Sequence, residues 1–255
     1  MKDYIKSILT NDERLDGRKL LDCRDVVITN DVSEKAEGSA RVKFGETEVL
    51  AGVKMDIGTP YRDSADKGTF MVTAELLPMA NPDFSTGPPS IQSIELARVI
   101  DRGIREANVI DLKKLCVEEG EAVWSVFVDI YVINDAGNIL DAAALAVVSA
   151  LRNAFIPKLD KDNRVMHGEL SKKKLPIFED RVPLTCTVHK IGDKLFVDPL
   201  LREEHETEAR LSIGMDDSGN INSMQKGEKG FFTLEEIDKA VDIVKDSTKK
   251  LRKNL

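Results

Sequence analysis

The stretch at residues 123–146, VWSVFVDIYVINDAGNILDAAALA, combines a strand pattern, a tight turn and a helix pattern without interruption. Residues 123–133 are rich in β-branched and aromatic side chains, which is typical of a strand. A turn that contains Gly137 ends this run, and the Ala-rich pattern after it predicts a helix from about residue 139 to 155. Because the first N–H groups of a helix have no partner inside the helix, such a turn is a potential phosphate pocket.

Asp141, in the first turn of that helix, argues against a bound phosphate. A carboxylate at this place stabilises the helix, but it occupies the space and the N–H groups that an anion would use. Ile139 and Leu140 carry no hydroxyl or basic group that could bind phosphate in its place. The sequence therefore predicts that Asp141 fills the pocket from within the protein.

Strand patterns dominate the chain before this unit. Four runs are expected to form strands, at residues 24–33, 39–44, 48–58 and 69–78. The second and third flank a three-residue link that contains Gly45, which predicts a hairpin. A Pro- and Gly-rich segment at 81–90 then precedes a predicted helix at about 91–107, which Ser90 or Ser93 can cap.

A second, smaller half follows a polar connection at 158–174, whose lysines at 172–174 are expected to lie in a solvated loop. Further strands are predicted near residues 181–189, 194–198, 208–214 and 220–225. A capping box of Thr233 and Glu236 predicts the start of the last helix.

The order of these elements predicts an α+β fold in which mixed sheets pack against helices. We expect one domain over residues 1–255, made of an N-terminal half at about 20–157 and a C-terminal half at about 180–252.

Composition limits the class of protein and its location. The formal net charge of −8 argues against a free-standing nucleic-acid binder, because neutralising phosphates needs clustered Lys and Arg. Cys23, Cys116 and Cys186 are odd in number and far apart, which favours a reducing compartment. No long apolar stretch occurs, so we expect a cytoplasmic protein without a membrane span.

The predicted helix at 91–107 carries an apolar face and a basic stripe. Its apolar face consists of Ile94, Ala97, Ile100 and Ile104. Arg98, Arg102 and Arg105 lie within about 60° of one another on a different face. One interpretation is that they pair within the helix, Arg98 with Glu95 and Arg105 with Asp101. The other is a track for a phosphodiester backbone, which guanidinium groups suit well.

The segment LREEHETEARL at 201–211 resembles a metal site in composition only. A zinc helix of the H-E-x-x-H type needs a second histidine four residues after His205, and that position is Ala209. His167 and His189 add no ligand spacing. We expect neither a metal nor a cofactor in this chain.

Taken in this order, the segments resemble the RNase PH family, and within it the non-catalytic RNase PH-like subunits of the archaeal exosome ring. The motifs that carry the resemblance are RLDGR (14–18), GSARVKFGETEVLAGV (38–53), AELLPMA (74–80), GPPSIQSIELARVIDRGIRE (87–106), residues 123–146 and KGEKGFF (226–232). Together they cover nearly the whole chain.

The resemblance implies an RNase PH-like fold of two β-α-β-type halves and a ring assembly. Three copies would alternate with three copies of a catalytic RNase PH-like paralogue around an RNA channel, and RNA-binding cap subunits would attach to the ring. Such a complex degrades single-stranded RNA from the 3′ end, with inorganic phosphate as the attacking nucleophile.

The resemblance also implies that this chain has no catalytic residues of its own. Active members carry Gly, then Thr or Ser, then Arg at the turn where this chain has residues 137–141. Active members also carry Asp residues where this chain has His205 and Arg210, and an Arg cannot replace a carboxylate that acts on protons or a metal.

In such a subunit Arg98 and Arg102 are implied to bind the RNA backbone beside the active site of the paralogue, which the chain helps to shape. Arg105, Arg62 and Lys67 are weaker candidates for RNA contact. Two alternatives remain, a self-sufficient phosphorolytic exoribonuclease of the RNase PH type and a purely structural ring subunit without RNA contact.

Overall fold

The computed structural model describes residues 2–255, and these form twelve strands and five α-helices. The strands are β1 (Val26–Asn30), β2 (Gly38–Phe44), β3 (Thr47–Gly58), β4 (Thr69–Leu76), β5 (Cys116–Glu118), β6 (Ala122–Asn134), β7 (Phe155–Leu159), β8 (Val165–Lys174), β9 (Leu184–Ile191), β10 (Lys194–Val197), β11 (Ala209–Met215) and β12 (Ile221–Gly227). The helices are α1 (Lys2–Thr10), α2 (Ile91–Glu106), α3 (Ile139–Asn153), α4 (Leu201–Glu204) and α5 (Leu234–Leu251). Short 3₁₀ segments lie at Leu112–Leu115, Glu179–Arg181 and Arg252–Asn254.

The strands form two sheets and one separate hairpin. The first sheet has the order β1-β2-β3-β6-β4, with β5 paired to β6, and is mixed because β4 runs parallel to β6 while the other pairs are antiparallel. The second sheet is antiparallel, with the order β10-β9-β11-β12. The α+β fold with sheets packed against helices, expected from the sequence, is confirmed.

Helix α3 forms the centre of the core. It packs against β2 and β3 of the first sheet and against β9 of the second. Every residue from Asp141 to Leu151 is buried. A helix that is covered on all sides carries no polar face, and its many alanines let both sheets approach closely. The turn before α3 is therefore held where the two sheets meet.

Helix α2 lies over β4 and β12. Ser90 caps it, because its hydroxyl accepts a hydrogen bond from the backbone N–H of Ser93 at 3.1 Å. The predicted apolar face is correct for Ala97, Ile100 and Ile104, which are buried, and wrong for Ile94, which is 47% exposed. The buried face is centred on Leu96 and Ile100, and at 100° per residue Ile94 lies about 160° from Leu96.

The prediction of a loop at 158–174 is wrong, because β7 and β8 form a hairpin there. Every residue of β8 is exposed or half-buried, including Lys172, Lys173 and Lys174. A strand with polar side chains on both faces lacks the period-two alternation by which half-buried strands are identified. The predicted hairpin of β2 and β3 is confirmed, with Gly45 in its turn at φ +59°.

Helix α5 begins as the sequence predicts. Thr233 Oγ1 accepts from the N–H of Glu236 at 3.2 Å, and Glu236 Oε2 accepts from the N–H of Thr233 at 2.8 Å. This helix packs on β9 and β11 and closes the second core. Among the helices of residues 2–255, none has the length and apolar character needed to cross a membrane.

Candidate functional site

The turn between β6 and α3 has a left-handed backbone. Gly137 has φ +93° and Asn138, the residue before α3, has φ +61°. A Cβ atom at Gly137 would lie 2.5 Å from the carbonyl oxygen of Pro199, so only glycine fits there. Thr47 Oγ1 donates to the carbonyl oxygen of Gly137 at 2.6 Å, and Asp135 Oδ1 accepts from the Gly137 N–H at 2.9 Å. The turn therefore has a fixed shape, held by Thr47 and Asp135.

A carboxylate occupies this turn, but it belongs to Glu204 rather than to Asp141. Glu204 Oε2 accepts from the backbone N–H of Asn138 at 2.9 Å. Asp141 points instead toward β9, where it accepts from the N–H of Thr187 at 3.0 Å and from its hydroxyl at 2.8 Å. The prediction for Asp141 is wrong because the third residue of α3 faces the second sheet. No local signal identifies Glu204, which is 66 residues away from the turn.

Burial raises the pKa of both carboxyl groups near this turn. The pKa of Asp141 is raised to about 7 by burial, against the two hydrogen bonds from Thr187. The pKa of Glu204 is raised by burial and, to a lesser extent, by the charge of Asp135. No arginine forms an ion pair with either group in the described chain. Neither carboxylate is therefore neutralised by an ion pair with an arginine.

Three arginines of the RLDGR segment and its neighbourhood form a buried clamp. We define the arginine clamp as Arg14, Arg18 and Arg24 with Asp198 and Glu203. Arg14 donates to both oxygens of Glu203, with its Nη2 2.5 Å from Oε2 and its Nε 2.9 Å from Oε1. Arg24 Nη2 lies 2.6 Å from Asp198 Oδ1, and Arg18 Nη1 lies 2.8 Å from Asp198 Oδ2.

The clamp supports the turn before α3. Arg24 also donates to the carbonyl oxygens of Ala136 at 3.1 Å and Gly137 at 3.0 Å. Burial alone would raise the pKa of Asp198, but the hydrogen bonds and the charge of Arg24 outweigh it and lower the pKa. These arginines thus hold structure, and their guanidinium groups already have acceptors in the protein.

The arginines of α2 differ in how they are paired. Arg105 forms an ion pair with Asp101 at 2.7 Å and donates to the carbonyl oxygen of Phe70 at 2.7 Å. Arg102 is 62% exposed and lies 3.4 Å from Glu106. Arg98 is exposed and has no hydrogen bond or ion pair within residues 2–255. Of the two intrahelical pairs considered from the sequence, the one between Asp101 and Arg105 forms and the one between Glu95 and Arg98 does not.

Glu95 is held by Arg210 of β11, across 115 residues of chain. Arg210 Nη2 lies 2.7 Å from Glu95 Oε2, and both side chains are at least two-thirds buried. Gly227, opposite Arg210 on β12, leaves room for the guanidinium, since a Cβ there would lie 2.6 Å from Arg210 Cζ. Because Glu95 is paired with Arg210, its carboxylate is not available to neutralise Arg98.

Of the other candidate residues, His205 lines the same cleft as Glu204 and Arg210, and the rest lie elsewhere. Arg62 and Lys67 are exposed in the loop between β3 and β4. His205 is exposed after α4, and His167 lies on the outer hairpin. In the part of the chain that the structure describes, no three His, Cys, Asp or Glu side chains are grouped closely enough to hold a metal ion.

Comparison with known proteins gives two family matches and near full-length relatives. The model of the 3′ exoribonuclease family, domain 1, matches residues 22–157, and that of domain 2 matches residues 181–247. The protein called exosome complex component Rrp42 of Methanothermobacter thermautotrophicus is 44% identical, over 97% of this chain and 91% of its own length. The protein of the same name from Thermococcus onnurineus is 41% identical, over 100% of this chain and 94% of its own length.

Two solved structures are similar over almost the whole fold. A chain of the Archaeoglobus fulgidus exosome with RNA bound to the active site superposes with a TM-score of 0.92 at 44% identity, covering 99% of this chain and 96% of that one. A chain of an archaeal exosome core gives a TM-score of 0.86 at 41% identity, covering 98% and 94%.

Proposed function

The chain belongs to the RNase PH family of 3′ exoribonucleases, and on that premise we propose that it is a non-catalytic, RNA-binding subunit of an exosome core. Relatives that match almost all of the chain are exosome components, and one similar structure is an exosome with RNA bound. In this role the chain contributes to 3′-to-5′ phosphorolytic RNA degradation by shaping the active site of a catalytic paralogue.

The proposal rests on a contrast between the turn before α3, whose Asn138 N–H is bound by Glu204, and Arg98 and Arg102, whose side chains are exposed. Glu204 holds the N–H group that a phosphate would need at the turn before α3, and its negative charge repels an anion. Ile139 and Leu140 supply neither the hydroxyl nor the arginine found in active members. Phosphate binding, and with it catalysis, is therefore unfavourable in this chain on its own.

Arg98 and Arg102 supply the RNA contact in this proposal. Both are exposed, Arg98 has no protein partner within residues 2–255, and Arg102 has one long contact. Guanidinium groups form paired hydrogen bonds with phosphate oxygens, which carry no sequence information. The expected binding is therefore independent of base identity and sensitive to salt.

The proposed assembly contains three copies of this chain and three copies of the catalytic paralogue, in alternation. RNA-binding cap subunits attach to it, and inorganic phosphate is a substrate of the complex rather than a cofactor of this chain. We place the assembly in the cytoplasm, in keeping with three cysteines that are free thiols. Arg105, Arg62 and Lys67 are kept as secondary candidates for RNA contact.

An activity assay of the chain alone, of the paralogue alone and of their mixture tests this function. Each sample is incubated with oligo(A) with and without inorganic phosphate, and its mass is measured by light scattering. We expect phosphate-dependent release of nucleoside diphosphates from the mixture and none from the chain alone, with the mixture at the mass of a hetero-hexamer. Phosphate-dependent degradation by the chain alone would establish the self-sufficient enzyme instead.

Crosslinking distinguishes the proposed role from that of a purely structural subunit. RNA with photoreactive groups is bound to the assembled ring, and the attached peptides are mapped. We expect crosslinks to peptides of α2 that include Arg98 or Arg102. A pattern confined to the paralogue would assign this chain a structural role only.

A further inference from the structure

A cleft of about 290 Å³ lies between α2, the turn before α3, α4 and the second sheet. Part of its wall is apolar and includes Leu76, Phe84 and Leu140. The remainder is polar and includes Asp135 and Asn138 of the turn before α3. Because this cleft adjoins the arginine pair of α2 without containing it, its chemistry can be considered separately from RNA binding.

Two buried polar atoms in residues of this wall have no partner within the described chain. They are Asn138 Oδ1 and His189 Nε2, and each residue is only 1% exposed. The orientation of the Asn138 amide is set by its other end, since Nδ2 donates to Asp198 Oδ1 at 2.9 Å. A buried acceptor without a donor is energetically costly, so a ligand that donates to both atoms removes that cost.

The hydrogen bonds of Thr207 favour the tautomer of His189 in which Nε2 is an acceptor. Thr207 Oγ1 donates its single proton to the carbonyl oxygen of Glu203 at 3.2 Å. With its proton placed there, the hydroxyl accepts from the N–H of His189 Nδ1, which also lies 3.2 Å away. In this arrangement the proton of the neutral imidazole is on Nδ1 and the lone pair is on Nε2, in a residue that lines the cleft. Burial, then the charges of Arg210 and Arg14, lower the pKa of His189 to about 3, so the ring stays neutral.

Negative charge dominates the rest of the wall. Its carboxylates are those of Asp83, Glu95, Asp135, Glu204 and Glu228, and Arg210 is its single basic side chain other than histidine among residues 2–255. Arg210 is already paired with Glu95. An anion is therefore disfavoured, and a group that combines positive charge with several N–H donors matches the acceptors.

We propose that this cleft binds an alkylammonium or guanidinium group, with Asn138 Oδ1, His189 Nε2 and the Glu204 carboxylate as its acceptors. The apolar wall at Leu76, Phe84 and Leu140 accommodates the methylene chain that carries such a group. Two sources supply this chemistry, a free diamine or polyamine and a Lys or Arg side chain of a neighbouring subunit. A turn that lacks the hydroxyl and the arginine for phosphate binds a cation in this way.

The test uses agmatine, which carries both an ammonium and a guanidinium group, with the assembled ring and with the chain alone. Binding is measured by calorimetry, and the ¹⁵N signal of His189 Nε2 is followed in a ring whose only labelled residues are the histidines of this chain. If the source is a free amine, agmatine binds to the ring and moves this signal. If a neighbouring subunit supplies the group, the signal already has its hydrogen-bonded position in the ring, and agmatine shifts it only in the chain alone.

Glu204→Gln measures how much the carboxylate charge contributes to agmatine affinity, because glutamine can still accept from the Asn138 N–H while the charge is lost. We expect the affinity of this variant for agmatine to be lower by a factor of about ten or more. The matched control is Glu206→Gln, an equal change of charge two residues away and outside the cleft wall, which should leave binding unchanged. A His189 signal that moves neither with agmatine nor on ring assembly overturns the proposal, as does equal agmatine binding by both variants.

Discussion

Two groups of arginines in this molecule are used in opposite ways. In the arginine clamp, the side chains of Arg14, Arg18 and Arg24 are 0%, 15% and 9% exposed, and each donates to a carboxylate. On α2, Arg98 and Arg102 are exposed. Glu95, three residues before Arg98, is paired with Arg210, and Arg102 has only its 3.4 Å contact with Glu106. Arginine side chains thus stabilise the fold where protein acceptors surround them. They remain available to a ligand where the neighbouring acceptors are few or already paired.

The clamp joins parts of the chain that are far apart in sequence. Arg24 and Asp198 are separated by 174 residues, and Arg14 and Glu203 by 189. Carbonyl oxygens of Val197 and Asp198 accept further hydrogen bonds from Arg14. Such buried pairs cost much to desolvate, so removing one partner is far more damaging than removing an exposed charge.

Asp198→Ala is expected to have the largest effect. It leaves Arg18 and Arg24 without their shared carboxylate in a buried place, which should lower the free energy of unfolding by about 3–5 kcal/mol. Urea denaturation measures this. The matched control is Asp217→Ala, whose carboxylate is 72% exposed and 3.4 Å from Arg252, and it should cost less than about 1 kcal/mol. Equal losses for the two variants would show that the clamp is not a special source of stability.

Asp141 sharpens the comparison, because it is a buried carboxylate without an arginine. Its pKa is raised to about 7 in the folded protein from 3.8, so between pH 4 and 7 the folded state holds a proton that the unfolded state has lost. The free energy of unfolding should therefore fall as pH rises through this range, by roughly 4 kcal/mol in total for this group. Asp198, with its lowered pKa, acts in the opposite sense, since its contribution is lost as pH falls below about 4.

The difference between wild type and Asp141→Asn isolates this dependence. His189, whose pKa is lowered to about 3, makes stability rise with pH between about 3 and 6.5, but it does so in both proteins and cancels. Chemical denaturation at several pH values should give a difference that changes steadily from pH 4 to 7 and is constant above. A difference that is independent of pH would mean that Asp141 stays ionised in the fold.

Arg98→Glu combined with Arg102→Glu tests the other side of the comparison. We expect RNA to bind the assembled ring about 10- to 100-fold more weakly, and the slope of log affinity against log salt to fall by about 1.4, as for two lost phosphate contacts. Stability and ring mass should be unchanged, since neither side chain supports the core. Lys172→Glu with Lys173→Glu, an equal change of charge on the exposed hairpin, is the control. Similar losses in both double variants would point to net charge rather than to a specific contact.

Local signals in the sequence predicted most of the fold and only part of the site. The Ser90 and Thr233 caps, the β2–β3 hairpin and the spacing of the arginines depend on residues within a few positions of one another, and the structure confirms them. Glu204 at the turn and Arg210 on Glu95 join positions 66 and 115 residues apart, for which one sequence carries no signal. The β7–β8 hairpin was missed because both of its faces are polar.

Arg210→Met tests whether Arg98 is unpaired because Arg210 holds Glu95. It is expected to have the smallest effect of these variants. Once released, Glu95 can pair with Arg98 three residues on, and an intrahelical pair of this kind is worth about 0.2–0.5 kcal/mol. RNA affinity of the ring should therefore fall by about twofold, as measured by fluorescence anisotropy. In an Arg98→Gln background the same change should have no further effect, because the residue that Glu95 would neutralise is gone. A loss of equal size in both backgrounds would mean that Arg210 affects RNA through its own charge, and the free state of Arg98 would then need another explanation.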